Sequence, residues 1–414
     1  LHTIDEREQI CDNCGSTMVK VGEEFVRTEV QFIPAKLKVI DHYRETYECR
    51  SCRKNGTPYM EKAPVPYPPV LHSLASASTI TWLIHQKFEL SIPLYRQEKE
   101  WEALGLCLSR ATMSNWLLVV YRDWLVHIVH RLKLELLKQR YLHIDETHVQ
   151  VLKEPGRKNT SDSYMWVYCS IRDAVNPIRY FEYQPGRSGK YPEAFLREYE
   201  GYIHTDAYSG YNAVSGVKRC LCYTHLRRAF VDALPKDIHN SEASKPAEAI
   251  LRLNQLFNIE SELEALPPDQ KKKERLIRER PLLEAFWSWA EKSAIGELPK
   301  SKLSKAFHYA LNNREGFWNY LEDGNCSISN SLAENCIRPF VIGRKNWLFS
   351  GSPKGAEASA GIYTLVETAK ANGLAPMKYI KYILSDMPGS AFLEHPEYLD
   401  DYLPWNPLVK EFCR

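Results

Sequence analysis

Two short segments of this chain, 142–147 and 203–208, share one pattern: strand-forming residues lead into an aspartate that has a histidine two places before it. The aspartates are Asp145 and Asp206, and the histidines are His143 and His204. The pattern predicts two β-strands that each end on an acidic side chain. A strand-end carboxylate is often only a solvated surface group, so neither aspartate indicates catalysis when it is considered alone.

The order of the surrounding elements gives the pair more weight. Three β runs are followed by a helix and a fourth strand, at 141–152, 164–171, 178–183, 192–199 and 202–206. Three strands, a helix, a strand and then further helices are the order of a ribonuclease-H-like sheet. The first and fourth strands lie side by side in such a sheet, so the carboxylates of Asp145 and Asp206 are expected to meet.

A third acidic residue, Glu334, lies near the start of a predicted helix. Two strand-end aspartates and a helix glutamate can together hold divalent metal ions, which is the chemistry of enzymes that cut and rejoin nucleic acid. A competing interpretation is a capping box over Ser331–Glu334, in which the glutamate bonds back to the cap residue. Neighbouring basic and aromatic residues favour the first interpretation, because they suit phosphate contact and base stacking: Arg338, Arg344, Lys345, Trp347 and Lys354.

Several nearby side chains have a structural interpretation beside a functional one. Cys222 and His225 have the spacing of half a metal site, and no second half is visible in the sequence. A hydrogen-bonding or packing role is therefore favoured for them, and they are kept as auxiliary candidates. Glu146 directly follows Asp145, so it is expected on the opposite face of the strand and is the weaker metal ligand.

Residues 1–57 carry two Cys-x-x-Cys pairs, formed by Cys11, Cys14, Cys49 and Cys52. Between the pairs lie β-prone runs, at 25–32 and 36–43. Two such knuckles separated by strands describe a zinc ribbon, because four thiolates suit tetrahedral Zn²⁺. A unit this small needs a structural metal, since its core is thin. DNA binding and protein docking both remain open as the role of the ribbon.

Prolines at 58, 64, 66, 68 and 69 exclude a helix or a central strand and predict an extended linker over 58–70. Residues 71–138 have a helical pattern throughout. Within them Gly105 ends one helix and Ser109 caps the next, which resembles the second helix of a helix-turn-helix. Trp116, Leu117 and Val120 are expected to face inward. The outward-facing candidates for DNA binding are Arg110, Ser114 and Asn115.

The predicted fold is therefore multidomain α+β, with a zinc ribbon, a helical helix-turn-helix-like domain and a ribonuclease-H-like α/β catalytic core. Residues 139–245 are the first part of that core and 321–390 the second part. A helical insertion at 246–320 separates the two parts, and 391–414 form a C-terminal tail.

Composition adds limits on the class of protein. The 54 Lys and Arg residues nearly balance the 52 Asp and Glu residues, giving a net charge of +2, so local basic clusters matter more than the sum. No stretch approaches the length of a membrane span, and no membrane partner is expected. The eleven cysteines are odd in number, and no secretory signal is recognisable, which favours free thiols and metal ligation over disulfides.

Several longer motifs resemble the IS66 insertion-sequence family of bacterial DDE transposases. They occur in order along most of the chain, at Ile92–Gln97, His143–Thr147, Thr205–Asn212, Cys222–Phe230, Ala333–Asn335, Ile337–Pro339 and Gly343–Gly351. One departure is that the family usually has Asp-Asn-Asn where this chain has Ser329–Ser331. Family members also tend to carry a further N-terminal region, partly coiled coil, so sequence upstream of Leu1 is expected to be missing.

The resemblance implies that Asp145, Asp206 and Glu334 form a catalytic triad holding two Mg²⁺ ions, with Mn²⁺ able to substitute. It implies double-stranded DNA, both element ends and target, as the partner, in the bacterial cytoplasm at the nucleoid. Small accessory proteins are candidate partners, because related elements encode them. A homodimer or larger assembly on DNA is expected, since two DNA ends must be brought together. Two alternatives stay open: a DNA-binding protein that no longer cuts, and a ribonuclease-H-like nuclease without strand transfer.

Overall fold

The structure is a computed structural model that describes residues 2–31, 35–235 and 244–414. It contains two compact units, residues 1–43 and 44–414. In the first unit a 3₁₀ turn, Glu6–Glu8, precedes a tight reversal of the chain. An antiparallel bridge between Ile10 and Thr17 closes this reversal, and Cys11 and Cys14 lie inside it.

The β-prone runs predicted at 25–32 and 36–43 form no strand in their described residues, so that prediction is wrong there; Phe32 lies outside the described residues. Phe25 and Val39 are 79% and 87% exposed. A strand needs a paired neighbour and an apolar face to bury, and these residues have neither. Their β propensity, which largely reflects packing, therefore has nothing to act on.

The second unit begins with a small hairpin. Strands β1 (Thr46–Glu48) and β2 (Met60–Lys62) pair antiparallel, and a short helix, α1 (Arg50–Lys54), lies between them. Cys49 is the residue before α1, and its N–H donates to the Tyr59 carbonyl at 2.9 Å. The second Cys-x-x-Cys pair thus spans the start of a helical turn.

The proline-rich linker leads into a group of helices. The linker predicted over 58–70 contains strand β2, and residues 63–69 form no helix or strand. The indole N–H of Trp124 donates to the Pro69 carbonyl at 2.8 Å. Two π-helical turns, His85–Glu89 and Tyr121–Leu125, interrupt the helices that follow. These helices are α2 (Ala77–Ile84), α3 (Leu94–Ala103), α4 (Arg110–Val120) and α5 (Val126–Leu137).

Helix α4 begins and packs as the sequence predicts. The Ser109 hydroxyl caps it by accepting the Thr112 N–H at 3.1 Å. Its inward face is buried in the core, as expected for Trp116, Leu117 and Val120. A short connection through Gly105, whose φ is +88°, joins α3 to α4. Only the left-handed backbone region accommodates that angle, which favours glycine there.

The central sheet has the order β5-β4-β3-β6-β7. Strand β4 runs antiparallel to β3 and β5, whereas β6 runs parallel to β3, and β7 runs parallel to β6. A two-residue strand, β8, pairs in parallel with the C-terminal end of β3. The strands are β3 (Tyr141–Val151), β4 (Asp162–Ser170), β5 (Arg179–Gln184), β6 (Gly201–Thr205), β7 (Val217–Leu221) and β8 (Phe349–Ser350). All four predicted strands are present, within two residues of the predicted bounds.

Helices α6 (Lys190–Phe195) and α7 (Tyr223–Val231) follow strands β5 and β7 along the chain. The segment predicted as a helical insertion is helical in the structure, and its aromatic and aliphatic residues form a core of their own with β7 and α7. Its helices are α8 (Lys245–Glu262), α9 (Pro268–Glu274), α10 (Arg280–Ala294), α11 (Lys302–Asn312) and α12 (Arg314–Trp318).

The chain then returns to the sheet through α13 (Ser331–Trp347), which packs against β3 and β4. Helix α14 (Pro353–Ala371) runs beside β5, and its threonine hydroxyls accept backbone N–H groups of that strand. Thr364 accepts from Phe181 at 2.8 Å and Thr368 from Arg179 at 3.1 Å.

Two further helices, α15 (Pro376–Asp386) and α16 (Pro407–Cys413), pack against each other at the C-terminal end. Among the residues that the structure describes, no helix combines the length and the apolar character needed to cross a lipid bilayer.

Candidate active site

The two aspartate-bearing segments lie side by side, as the sequence predicts. Strand β3 pairs in parallel with β6, and His143 is directly opposite His204. Asp145 and Asp206 each follow their histidine by two residues, so they lie at the same level of the two strands. Asp145 is still within β3, whereas Asp206 is the first residue after β6.

Asp145 is half-buried and has no ion pair with a lysine, an arginine or a histidine in the described part of the chain. Burial raises its pKa from 3.8 to about 7, and the negative charges of Glu146, Asp206 and Glu334 raise it further within that shift. All three carboxylates are therefore close enough to repel the Asp145 charge. This repulsion is what a bound dication would relieve.

Asp206 is held by its surroundings instead. Its carboxylate accepts the Tyr208 N–H at 2.9 Å and lies 3.8 Å from a guanidinium nitrogen of Arg187. Arg219 fixes the same turn, because its guanidinium donates to the Asp206 carbonyl at 2.6 Å and to the Thr205 hydroxyl at 2.8 Å. The position of this carboxylate is set by bonds on both sides of the strand end.

Glu334 lies in the first turn of α13, and the capping box does not form. The residue before the helix is Asn330, and no side-chain bond caps the helix. The Oε1 atom of Glu334 is buried and has no hydrogen-bond partner, and the Nδ1 atom of His225 lies 3.6 Å from it. A carboxylate that is spare in this way is available to a ligand.

The fold places Glu334 beside Cys222 and His225, a partner that the sequence did not reveal. One ligand atom from each of Cys222, His225 and Glu334 lies within 4.8 Å of the others. A hydrogen bond with Cys222 raises the pKa of His225, and the negative charge of Glu334 acts in the same direction. The pair thus lies at the carboxylate cluster.

Glu146 is engaged elsewhere. Its carboxylate accepts a hydrogen bond from Arg187 Nε at 2.6 Å and another from the Tyr211 hydroxyl, and Arg187 Nη2 forms an ion pair with it at 2.5 Å. Burial raises the pKa of Glu146, whereas these partners lower it. With its oxygens already bonded, Glu146 is a poorer metal ligand than Asp145, in line with the expectation.

His143 and His204 pack face to face beneath the aspartates, with ring centroids 4.2 Å apart and an angle of 11° between the planes. Both are buried. Burial lowers the pKa of His143 well below its usual value, and the neighbouring His204 acts in the same direction. Both imidazoles therefore bond to the protein interior instead of the open site.

The residues present fit a magnesium site. The charges of Asp206 and Glu334 raise the pKa of Asp145, and one Glu334 oxygen is buried without a hydrogen-bond partner. The three carboxylates do not form a group whose oxygens all lie within 4.8 Å of one another, whereas Glu334 forms such a group with Cys222 and His225. Oxygen ligands of this kind suit Mg²⁺, which takes one or two carboxylates per ion and retains several waters.

An open cleft of about 350 Å³, which no sequence pattern predicts, lies beside Asp206. Its lining includes Arg187, Tyr208, Arg228 and Tyr309. Arg187 lies in a turn between β5 and α6, where no local motif marks it. Its closeness to Glu146 and Asp206 arises only from the fold.

The predicted DNA-binding residues fall into two groups. Arg110, Ser114 and Asn115 are exposed on α4, and Arg338, Lys345 and Lys354 are exposed on and near α13. Arg344 instead donates to the Thr147 hydroxyl at 3.0 Å, and also to the His148 carbonyl. Trp347 packs beside Phe340 and Tyr363. The last two residues therefore contact the protein itself.

Each Cys-x-x-Cys pair is arranged to favour thiolates. A backbone hydrogen bond from Ser16 lowers the pKa of Cys14, and one from Cys52 lowers the pKa of Cys49. Backbone N–H groups directed at sulfur are typical of cysteines that bind metal or react as thiolates.

Two family models match this chain, and both describe transposases. A family model described as the transposase IS66 family matches residues 72–358, and a second, the zinc-finger binding domain of transposase IS66, matches residues 8–53. The first match covers more than half of the chain. The protein belongs to the IS66 family of transposases.

Three similar proteins come from Sinorhizobium fredii (strain NBRC 101917 / NGR234), and each is named an uncharacterized protein. The protein y4hP is 26% identical over 429 residues, covering 97% of this chain and 75% of its own length. The protein y4jD is 26% identical over 417 residues, covering 97% and 79%. The protein y4qI is 27% identical over 430 residues, covering 98% and 75%.

Proposed function

We propose that this protein is a DNA transposase that cleaves and joins insertion-sequence ends, with Asp145, Asp206 and Glu334 holding two Mg²⁺ ions. The observation that carries the proposal is the parallel pairing of β3 with β6, which sets Asp145 and Asp206 at the same level of two neighbouring strands. Glu334 is close enough for its charge to raise the pKa of Asp145. Carboxylates gathered at one edge of a sheet are typical of a metal-dependent phosphoryl transfer site.

The order of the sheet supports a ribonuclease-H-like core. Three antiparallel strands followed by two that run parallel to the first match the order expected for that fold, and the first and fourth strands are neighbours. Helix α13, which carries Glu334, returns to β3 after the helical insertion.

The three carboxylates are held in different ways at the proposed metal site. Bound Mg²⁺ would polarise a phosphodiester and lower the pKa of the attacking water. Asp206 is oriented by the Tyr208 N–H, and Asp145 and Glu334 supply oxygens without strong competing bonds. Attack by water breaks the bond from phosphorus to the 3′ oxygen and frees a 3′-hydroxyl. That hydroxyl then attacks a phosphodiester of the target, forming a new bond from its oxygen to phosphorus as the bond to the target's 3′ oxygen breaks. The target strand leaves with a 3′-hydroxyl, and the protein forms no covalent bond to DNA.

DNA contact is assigned to the exposed basic residues and the cleft. Arg187 and Arg228 line the cleft beside Asp206, and Lys345 and Lys354 are exposed. Phosphate contacts release counterions, so binding is expected to weaken steeply with salt. Two DNA ends have to be brought together, and a homodimer or larger assembly on DNA is part of the proposal.

The zinc ribbon is proposed from the cysteine spacing and from the zinc-finger match at 8–53. Its ligands are Cys11, Cys14, Cys49 and Cys52, with Zn²⁺ in a structural role.

The test is a strand-cleavage assay with the full chain and Mg²⁺, using duplexes that span the two boundaries of the element around its gene. The wild-type protein should nick the boundary and, with added plasmid, give joined products. Glu334→Gln should abolish both reactions. Glu182→Gln is the matched control, because burial raises the pKa of Glu182 to about 7 without placing it in the cluster.

The outcomes separate the alternatives. Binding of the boundary duplex without nicking by the wild-type protein would favour a DNA-binding protein that no longer cuts. Nicking without joined products would favour a nuclease. Full nicking by Glu334→Gln would remove Glu334 from the proposed triad.

A further inference from the structure

Asn330 lies at the junction between the returning segment and α13. It is 1% exposed, and it precedes Glu334 by four residues. The chain between β7 and α13 contains the whole helical insertion, so sequence proximity does not hold Glu334 near the aspartates. Some contact at this junction has to do so.

The side-chain amide of Asn330 bonds to β3 with both of its polar atoms. Nδ2 donates to the Ile144 carbonyl at 2.8 Å, and Oδ1 lies 3.0 Å from Nδ1 of His143. A carbonyl only accepts, so the atom facing Ile144 must be the nitrogen. Oδ1 then faces His143, whose Nδ1 must carry the proton that it donates. The amide thus holds His143 and Ile144, the two residues that directly precede Asp145 in β3.

The backbone of Asn330 adds two further bonds. Its N–H donates to the Cys222 sulfur at 3.1 Å, and its carbonyl accepts the Glu334 N–H at 3.3 Å. One residue therefore joins β3, the start of α7 and the first turn of α13.

His204 anchors the same segment from the neighbouring strand. Its Nε2 accepts the Ser327 N–H at 2.8 Å, and its Nδ1 lies 3.2 Å from the Leu142 carbonyl, to which it can only donate. The histidines of the two His-x-Asp segments thus each hold one point of 327–330. The repeated His-x-Asp pattern thus has a structural role. In each copy, the histidine two residues before the aspartate binds the segment 327–330, which leads into α13 and Glu334.

The charge on Glu334 opposes a close approach to β3. The negative charges of Asp206 and Glu334 both raise the pKa of Asp145, so uncharged contacts are needed to hold the start of α13 beside this strand. The Asn330 bonds are uncharged and directional, and they are shielded from water. They can hold Glu334 in place before a metal arrives.

We infer that Asn330 is a positioning residue that fixes the first turn of α13 against β3 and so preorganises the three carboxylates for metal. This inference rests on the proposed function. Positioning partners of metal ligands typically contribute about 10–100-fold to metal affinity.

The experiment measures Mn²⁺ and Mg²⁺ binding to the full-length chain by isothermal titration calorimetry, beside thermal unfolding and boundary cleavage at increasing Mg²⁺. Asn330→Ala should weaken metal binding about tenfold or more. It should raise the Mg²⁺ needed for half-maximal cleavage by a similar factor, and high Mg²⁺ should restore part of the rate. Asn330→Ser, which keeps one shorter hydroxyl, should give an intermediate loss and serves if the alanine variant does not fold.

The matched control is Asn372→Ala. The Asn372 amide donates to the Pro177 and Thr368 carbonyls, both at 2.8 Å, at the end of α14. Its removal should lower the melting temperature but leave metal binding unchanged. Wild-type metal affinity in both Asn330 variants would overturn the inference and leave the proposed function intact. A wild-type chain that binds no divalent metal and cuts no boundary DNA would overturn both.

Discussion

The ends of β3 and β6 carry the same short pattern and yet have opposite environments. Asp145 has no cationic partner in the described part of the chain, and burial raises its pKa to about 7. Asp206 accepts a backbone N–H and has Arg187 within 3.8 Å. The difference indicates that one carboxylate is held ready in an unfavourable state, whereas the other is fixed by the protein.

The largest expected effect is on the cleavage rate, and it is the same for the two aspartates. Asp145→Asn and Asp206→Asn should each slow boundary cleavage by at least about a thousandfold, because each removes a metal ligand that contributes several kcal/mol. Binding of the boundary duplex in a gel-shift assay should stay within a few-fold of wild type. Cleavage by Asp206→Asn at the wild-type rate would confine the metal site to the β3 side.

Stability should separate the two. At pH 8 without metal, Asp145→Asn should raise the free energy of unfolding by about 1–3 kcal/mol, because it removes a charge whose pKa is raised by burial. Asp206→Asn should lower it by at most about 1 kcal/mol, since an amide oxygen can still accept the Tyr208 N–H. Urea unfolding of the metal-free chains measures both. Equal changes of the same sign in the free energy of unfolding would contradict the proposed difference between the environments of Asp145 and Asp206.

The pH dependence sharpens the same contrast. The folded-state pKa of Asp145 lies above its unfolded value of 3.8, at about 7, so the folded chain gains stability from protonation. That stabilisation is complete below pH 4 and is lost as the pH rises through 7. The advantage of metal-free Asp145→Asn over wild type should therefore be present at pH 8 and vanish near pH 4. A constant advantage across that range would assign it to packing.

A further effect, on stability alone, is expected at Arg187. Arg187→Ala leaves the Glu146 carboxylate, which is 2% exposed, without its cation. We expect a loss of about 1–2 kcal/mol of stability, reduced from a fully buried pair because Arg187 is partly exposed. The exposed pair of Arg172 and Glu264 provides the control, and Arg172→Ala should change stability by less than about 0.5 kcal/mol.

The sequence predicted strands β3 to β6 within two residues because each is rich in aromatic or β-branched residues, whereas the shorter strands β1, β2, β7 and β8 were not predicted. It predicted that the strands carrying Asp145 and Asp206 are neighbours, since strand order follows from element order. It left a capping box open at Ser331–Glu334, because a local pattern does not reveal which bonds the tertiary structure replaces. The β-prone runs near Phe25 failed for a related reason: propensity needs a surface to pack against.

The residues that the sequence missed act over long separations. Arg187 meets Glu146 across 41 positions, and Asn330 meets Ile144 across 186. Neither lies in a motif whose spacing indicates a partner, and asparagine before a helix is ordinarily only a cap. Their roles depend on where the insertion returns the chain, which local patterns do not encode.

The threonines of α14 bear on how two copies could assemble. An outer strand normally offers a row of unpaired amides to a second sheet. In β5 the amides of Arg179 and Phe181 are already satisfied from within the chain by Thr368 and Thr364. A second sheet could pair with β5 only if helix α14 first dissociated from this strand. In the assembly proposed on a pair of DNA ends, β5 is therefore not expected to pair with the sheet of a second protomer.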